Sequence, residues 1–469
     1  MKISAQELKE LLHELVPEIE PKHASLVADF MQQEEHVLFM NQLIKDRREL
    51  VATFMQKLQL YDIINAHLQI PNATVNKPYT VALDLLGLGK NAIIETKIED
   101  LDTFGLQYDP ATATISGTPI INGDFKIILE FKLQGEENRH EFHQKPITLI
   151  INANPRSLWK NIPSDQTDQF WKEDNTHEFK KLGGERNLVV ASKRGRSHAN
   201  VGSFRDDEYA SHFFKKFGWS IVCVSDGAGS AKYSRKGSQI ACESVISYFA
   251  EKFEEGVLDN LEHVISQFKN ETSQENSKLI SQSVYALLSQ AALYAHKQLE
   301  DFSAKMEVNI KDFHSTLIFA LFKKYPFGTA IMTFGVGDCP IGILNKDCTE
   351  IKLMNWLDVG EFGGGTRFIT MKEIFNDTFA TRFGFKLVDD FSYLMLMSDG
   401  IYDPKFSVEA NLEKISCWNE FLADLNGNNE EKIKVDFELR NETVAQQLSD
   451  WMDFWSPGNH DDRTLAIIY

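Results

Sequence analysis

Residues 220–229 read SIVCVSDGAG, an apolar run that ends in Ser-Asp-Gly. The run at 221–224 is rich in β-branched residues and has the length of a buried strand. Asp226 therefore lies at the end of a predicted strand, and Gly227 beside it lets the backbone approach a ligand closely. This strand end is the first candidate for a functional site.

Three further stretches place an aspartate at the edge of an apolar run, and GSFRDDEY at 202–209 adds the pair Asp206-Asp207. The three are IMTFGVGDCP (331–340, with Asp338), YLMLMSDGIYD (393–403, with Asp399) and NHDDRTLAIIY (459–469, with Asp461 and Asp462). Clustered carboxylates repel one another unless a cation compensates, and hard oxygen ligands select Mg²⁺ or Mn²⁺. The pattern indicates a two-metal site that polarises a water and a phosphoryl oxygen. Strand-end turns are the alternative, because Asp and Gly are both turn formers.

The order of elements in residues 156–469 is mixed. Apolar β-runs at 188–192, 220–225, 330–336, 393–397 and 464–468 are interspersed with long helical stretches at 238–253 and 277–302. A regular βαβα alternation is absent from this pattern, which therefore favours a layered α+β fold over a doubly wound one. The glycines of FGGGTRFIT, 362–370, do not fit a phosphate-binding P-loop, and we expect a substrate-rim loop or a plain turn there.

Residues 1–70 have the periodicity of helices. Ser4 and Glu7 form a capping-box signal, and leucines at 8, 11, 12 and 15 then follow at helical spacing. Pro17 and Pro21 end that helix, and further helical patterns continue to about residue 60. The segment is either a small packed bundle or a partner-binding helical arm.

Residues 71–155 change to a period of two, with turn residues between the runs, which predicts a small β-sandwich. The stretch FGLQYDPATATISGTP, 104–119, resembles bacterial immunoglobulin-like modules. The resemblance implies a spacer or docking surface, and the segment contains no residue pattern with evident chemistry. Residues 156–185, with Trp159 and Trp171, are predicted to be a linker whose aromatic residues pack on a neighbouring domain.

Composition and charge exclude several classes of protein. The chain has 469 residues with 43% hydrophobic and 25% charged residues, enough apolar material for sizeable cores. Its formal charge of −19 argues against a nucleic-acid binder. Five cysteines without a CxxC pair argue against a disulfide framework or a zinc ribbon. With neither an apolar signal-peptide core nor a run long enough to span a bilayer, the sequence predicts a cytoplasmic protein without membrane partners.

The motifs of residues 186–469 resemble those of the metal-dependent type 2C serine/threonine protein phosphatases, particularly a divergent bacterial branch. The matching segments, in the family's order and spacing, are VSDGAGSAKYSRKGSQIA (224–241), FHSTLIFALF (313–322), FGVGDCPIGIL (334–344), LMLMSDGIYD (394–403) and HDDRTLAII (460–468). The resemblance implies two β-sheets packed face to face and flanked by helices. It also implies hydrolysis of phosphoserine and phosphothreonine in proteins by a metal-activated water.

The resemblance further implies a ligand set for Mn²⁺ or Mg²⁺. One ion would be held by Asp207, Asp226 and the Gly227 carbonyl, and the other by Asp226, Asp399 and Asp461. Asp206 stands where the family has a glutamate that contacts a metal-bound water. Asp338 stands where some members bind a third ion, with a strand-end turn as its alternative role.

Two departures from the family pattern leave a second function open. The family's phosphate-binding arginine has no equivalent at the usual spacing, so Arg196 is the preferred candidate, with a solvated surface arginine as the alternative. Ala228 occupies the position of a histidine that serves as general acid in animal members, and His198 is a candidate substitute. The alternative function is a catalytically weak scaffold that binds phosphoproteins or a partner kinase. For the enzyme, the expected partners are a phosphoprotein substrate and a cognate kinase.

Overall fold

The computed structural model describes residues 4–85, 93–270, 273–358, 365–376 and 378–469. Residues 362–364, which contain part of the predicted glycine loop, lie outside this set. The chain divides into two compact units, Met1–Leu158 and Trp159–Tyr469.

The first unit begins with three helices, α1 (Ala5–Leu15), α2 (Ala24–Gln32) and α3 (Glu34–Asn65). The predicted capping box is confirmed, because Ser4 accepts from the Glu7 backbone and the Glu7 carboxylate accepts from the Ser4 backbone. The first half of α3 packs on α1 and α2 around a core formed by Leu8, Leu11, Met40 and Ile44. The second half of α3 leaves large apolar side chains exposed, among them Phe54 and Tyr61.

Two small sheets complete the first unit. One has the order β1 (Ala73–Thr74), β7 (His143–Asn152), β6 (Gly123–Leu133), β3 (Ile93–Lys97), and the other β2 (Tyr79–Ala82), β5 (Thr114–Gly117), β4 (Leu106–Asp109). Buried residues of both sheets, such as Ile115 of β5 and Leu129 of β6, belong to one hydrophobic core. The immunoglobulin-like character of this region stays a prediction.

A buried lysine joins the helices of this unit to its larger sheet. The Nζ of Lys145, on β7, donates to the carbonyls of Ile63, Ile64 and Ala66 at 3.0, 2.9 and 2.5 Å. These carbonyls lie at the C-terminal end of α3, where a helix leaves its last carbonyl groups without intrahelical partners. All three donor positions of the ammonium are therefore satisfied by the fold.

The second unit contains two larger sheets in which all paired strands are antiparallel. The five-stranded sheet has the order β10 (Glu208–Phe214), β11 (Trp219–Ser225), β12 (Leu317–Tyr325), β13 (Gly328–Val336), β16 (Phe383–Val388). The six-stranded sheet has the order β15 (Ile351–Leu353), β14 (Ile341–Asn345), β17 (Phe391–Met397), β18 (Arg463–Ile468), β9 (Asn187–Lys193), β8 (Asn175–Lys181). The helices are α4 (Arg196–Val201), α5 (Ser234–Glu254), α6 (Leu258–Asn270), α7 (Gln274–Lys305), α8 (Asp399–Phe406), α9 (Ile415–Leu425) and α10 (Glu442–Trp451).

The two sheets pack face to face because their central strands are apolar on both sides. Successive side chains of a strand point to opposite faces. On β11, Ile221 and Cys223 pack with α5, α6 and α7, whereas Val222 and Val224 belong to the core shared by the two sheets. A strand buried on both faces has a continuous apolar run, which explains the unbroken sequence at 221–224.

The six-stranded sheet shows the same alternation. Ala466 and Ile468 of β18 face the shared core, and Leu465 and Ile467 pack with α8, α9 and α10. The unit therefore has a helix layer, two sheets and a second helix layer. The predicted layered α+β fold, with two face-to-face sheets flanked by helices, is confirmed.

Candidate metal centre

The strand-edge aspartates lie where antiparallel strands begin and end together. β10 begins directly after Asp207 and pairs with β11, which ends directly before Asp226. β18 begins directly after Asp462 and pairs with β17, which ends two residues before Asp399. In an antiparallel pair the start of one strand is beside the end of its neighbour, so each pair brings its aspartates to one edge.

Backbone hydrogen bonds fix the turn that carries Asp226 and Gly227. The Asp226 N–H donates to the Thr316 hydroxyl at 2.8 Å, and the Thr316 N–H donates to the Asp226 carbonyl at 2.8 Å. A Cβ at Gly227 would lie 2.6 Å from the Asp206 carbonyl oxygen, so only glycine allows this approach. The 226–227 turn is thereby held against the loop that carries Asp206.

Asp207 is tied to the six-stranded sheet. Its Oδ2 accepts from the Thr464 hydroxyl at 2.7 Å, and the Thr464 N–H donates to the Ser398 hydroxyl at 2.9 Å. Ser398 is the N-cap of α8, directly before Asp399. These contacts connect strand ends of both sheets and bring the candidate ligands Asp207 and Asp399 to one place.

Two of the clustered carboxylates have strongly raised pKa values. Burial raises the pKa of Asp226 well above its ordinary value, and the neighbouring charges of Asp399 and Asp207 raise it further. Burial also raises the pKa of Asp399, with Asp461 and Asp338 adding to the effect. The Oδ1 atom of Asp399 is buried and has no hydrogen-bond partner among the residues that the structure describes.

Asp206 and Asp207 are in the same electrostatic situation. Burial and the charge of Asp462 raise the pKa of Asp206 to about 6 and that of Asp207 to about 7. Buried carboxylates need a compensating charge, and divalent cations supply it where hard oxygen ligands converge. The clustered oxygens fit one or more ions of the Mg²⁺ or Mn²⁺ type, as does an Asp399 Oδ1 without a hydrogen-bond partner among the described residues.

A family model described as Protein phosphatase 2C matches residues 194–453, more than half of the chain. The chain belongs to the protein phosphatase 2C family. The matched region contains Asp206, Asp207, Asp226, Asp338 and Asp399. No curated protein matches the chain.

Solved structures of bacterial phosphatases are also similar to this chain. Serine/threonine phosphatase Stp1 from Staphylococcus aureus is 14% identical with a TM-score of 0.35, over 62% of this chain and 98% of that one. The catalytic domain of the phosphatase PstP, solved with two manganese ions, is 14% identical with a TM-score of 0.35, over 60% of this chain and 97% of that one.

Asp462 organises this edge of the phosphatase domain, a role that the sequence did not reveal. Its carboxylate accepts from the backbone N–H groups of Gly195 and Asp206 and lies 3.0 Å from Nδ1 of His198. Burial alone would raise the pKa of Asp462, but these hydrogen bonds and the His198 charge hold it below its ordinary value. The adjacent Asp461-Asp462 pair was the only available signal, and it does not identify a partner 264 residues away.

His198 pairs with Asp462, and its candidate role as a general acid stays a prediction. Burial would lower its pKa, but the hydrogen bond and charge of Asp462, with the charge of Asp206, raise the pKa of His198 to about 9. Its Nε2 lies 3.8 Å from a carboxylate oxygen of Asp206. Ligand atoms of His198, Asp461 and Asp462 all lie within 4.8 Å of one another.

Asp338 lies at the border of the cluster. Its Oδ2 accepts from the Thr366 hydroxyl at 2.7 Å. Burial raises the pKa of Asp338, and the charges of Asp403 and Asp358 add to the shift. Asp338 is in turn one of the charges that raise the pKa of Asp399, which places it close to the central aspartates.

The three arginines near the first aspartate pair all contact protein groups. Arg196 donates to the carbonyls of Phe454 and Asp453 at 3.0 and 2.5 Å, and its guanidinium lies 5.4 Å from the Trp455 ring centroid. Arg194 pairs with Asp174, and Arg205 donates to the Asp207 carbonyl. A phosphate-binding role for Arg196 stays a prediction.

Proposed function

We propose that this chain hydrolyses phosphoserine and phosphothreonine in proteins and requires Mn²⁺ or Mg²⁺. One observation carries the proposal: buried carboxylates from both sheets converge with raised pKa values, and Asp399 Oδ1 has no partner among the described residues. Burial and mutual repulsion raise the pKa values of these carboxylates, and bound divalent cations would stabilise their ionised forms. Membership of the protein phosphatase 2C family supports the same function.

The proposed ligands divide into two overlapping sets. Asp207, Asp226 and the Gly227 carbonyl would hold one ion, and Asp226, Asp399 and Asp461 the other. Divalent cations bound there would lower the pKa of a water and neutralise charge on the phosphoryl group. Asp338 is the proposed ligand of a third, weaker ion.

The remaining residues of the site hold these ligands in place. Thr464 orients the Asp207 carboxylate through the hydrogen bond to its Oδ2. Asp462, which is paired with His198, accepts a hydrogen bond from the Asp206 N–H. This contact fixes the main chain of Asp206, whose side chain is proposed to orient a water. Preorganised groups of this kind favour catalysis because they need little rearrangement during the reaction.

Arg196 is the proposed contact for the substrate phosphate. Guanidinium groups suit this role because they present several donors in a fixed plane. Its carbonyl contacts at 453–454 would also set the direction of the side chain.

The substrate is proposed to be a phosphoprotein, with a cognate kinase as a further partner. None of the helices in the described residues combines the length and the apolar character that a membrane span requires. A cytoplasmic location stays a prediction.

The direct test is hydrolysis of a phosphothreonine peptide by the purified full chain, with and without Mn²⁺. We expect phosphate release that depends on Mn²⁺ and is removed by a chelator. A chain that binds the peptide and Mn²⁺ but releases no phosphate would contradict the enzyme and favour the scaffold alternative.

A further inference from the structure

The segment 159–174, predicted as part of a linker, is fixed to the phosphatase domain by specific contacts. Asp168 forms an ion pair with Arg235 at 2.7 Å. Phe170 packs edge-on against Tyr233, with ring centroids 5.4 Å apart. Both partners lie at the start of α5, so the segment is anchored next to the proposed metal centre.

Lys172 extends from this segment to the loop that carries the first aspartate pair. Its Nζ donates to the Asp207 carbonyl at 2.6 Å, to the Glu208 carboxylate at 3.0 Å and to the Arg235 carbonyl at 3.3 Å. Arg205 donates to the same Asp207 carbonyl at 2.6 Å. The main chain of one proposed metal ligand is thus held by two cationic side chains.

The neighbouring carbonyl is held in the same way. The Ser238 hydroxyl, on α5, donates to the Asp206 carbonyl at 2.5 Å. Gly227 packs against that carbonyl, since a Cβ at this glycine would lie 2.6 Å from its oxygen. A shift of the 206–207 main chain would therefore also displace the Gly227 turn, and with it both halves of one proposed ion site.

Burying the ammonium of Lys172 costs desolvation free energy, and a residue that only filled space would not need this charge. Its side chain is 14% exposed, and an apolar side chain of the same length would avoid the desolvation of an ammonium. Glu208 lies 3.0 Å from the ammonium and offsets its charge, so Lys172 can support the Asp207 carbonyl while repelling a nearby cation less strongly.

We propose that Lys172 is a positioning residue of the metal centre, which holds the Asp206–Asp207 main chain where the first ion binds. The inference rests on the proposed function. It also assigns a role to a segment outside the matched family region, which begins at residue 194. Under this proposal, residues 159–174 support the metal centre and do not serve only as a linker.

The test is calorimetric titration of the metal-free full chain with Mn²⁺ alone, comparing the wild type with Lys172→Met. Groups that support metal ligands typically contribute about 10- to 100-fold to metal affinity, and we expect an increase of that size in the Mn²⁺ dissociation constant. Turnover at saturating Mn²⁺ should recover most of its wild-type value, because mass action restores the bound state. If Lys172 were purely structural, its substitution would lower the melting temperature and leave the Mn²⁺ affinity of the folded protein unchanged.

Lys323→Met is the matched control. Lys323 also pairs with a glutamate, Glu262, but lies near the far end of β12, the strand that begins beside the Asp226 turn. We expect its Mn²⁺ affinity to equal that of the wild type.

The outcomes separate this inference from the proposed function. Wild-type affinity in a folded Lys172→Met protein would overturn the inference, whereas absence of Mn²⁺ binding by the wild type would overturn the proposed function. If Lys172→Met does not fold, Asp168→Asn is the second variant. It removes the ion pair with Arg235 that anchors the same segment and leaves the Lys172 ammonium in place. It should weaken Mn²⁺ binding several-fold, and unchanged affinity there would equally overturn the inference.

Discussion

Both units bury charged side chains, but the two sets differ in how far neighbouring protein groups satisfy them. In the first unit, the ammonium of Lys145 donates to three carbonyls at the end of α3. In the second unit, Asp226 and Asp399 are crowded with other carboxylates, and Asp399 Oδ1 lacks a partner among the described residues. The hydrogen bonds of the first arrangement are complete within the protein, whereas the second is the arrangement that the proposed cations would neutralise.

The difference shows that burial of charge does not by itself mark a functional site. A buried charge whose hydrogen bonds are satisfied stabilises a particular packing, as Lys145 does for α3 and β7. A buried charge that its neighbours oppose is destabilising unless a ligand binds. Unsatisfied charge, rather than burial, is therefore what locates the proposed active site.

The largest expected effect is that of Asp226→Asn. The substitution removes one charge from the cluster and a proposed bridging ligand, so we expect phosphatase activity to fall by at least about 100-fold. The melting temperature of the metal-free protein should stay the same or rise, because repulsion from Asp399 and Asp207 is reduced. Activity assays and thermal unfolding on the same preparation check both effects.

Retained activity with wild-type Mn²⁺ content would show that Asp226 is no ligand. A large drop in melting temperature would show instead that Asp226 behaves like Lys145, as a group that completes the fold.

Arg196→Ala should have the next largest effect on activity. Loss of a charge-assisted contact of about 1.5–3 kcal/mol corresponds to roughly 10- to 150-fold in kcat/KM. The decrease should appear in KM if the contact is equal in ground and transition states, and in kcat if it strengthens during the reaction. Mn²⁺ affinity should not change, because arginine is not a ligand.

Arg186→Ala is the control for this experiment, since Arg186 forms an ion pair with Asp390, outside the segment 159–174. If the two variants lose stability equally and keep wild-type kinetics, Arg196 is a packing residue and the phosphate contact lies elsewhere.

Lys145→Met should affect stability alone. Loss of its hydrogen bonds to the α3 carbonyls should lower the free energy of unfolding by about 2 kcal/mol. Phosphatase activity per folded molecule should equal that of the wild type. Denaturant unfolding checks the first expectation, with the exposed Lys126 of the neighbouring strand replaced by Met as the control.

The layered fold was predictable because its signals are local. A run such as 221–224 followed by Asp-Gly contains its own evidence for a strand end, and antiparallel pairing then brings Asp226 near Asp207. Thr464, Asp462 and Lys172 could not be found in this way. Thr464 binds an aspartate 257 residues away, and Lys172 binds a carbonyl 35 residues away, so neither contact leaves a periodic trace in the sequence.

The segment 159–174 shows the same limit. Its aromatic residues predicted packing on a neighbouring domain, but composition alone could not distinguish a pinned linker from a support of the 206–207 loop. That distinction depends on the direction of one side chain, Lys172, toward one carbonyl.

Proton release during Mn²⁺ binding tests the central claim most directly, measured by titration calorimetry in buffers of different ionisation enthalpy. With its pKa at about 7, Asp207 holds a proton at pH 6 in most molecules, and burial and neighbouring carboxylates also raise the pKa values of Asp226 and Asp399. A metal binds only the ionised carboxylates, so binding must release protons. We predict two bound Mn²⁺ ions, proton release at pH 6 that is smaller at pH 8, and higher affinity at pH 8. Absence of Mn²⁺ binding, or binding without proton release at either pH, would contradict the claim that this edge is an uncompensated carboxylate cluster.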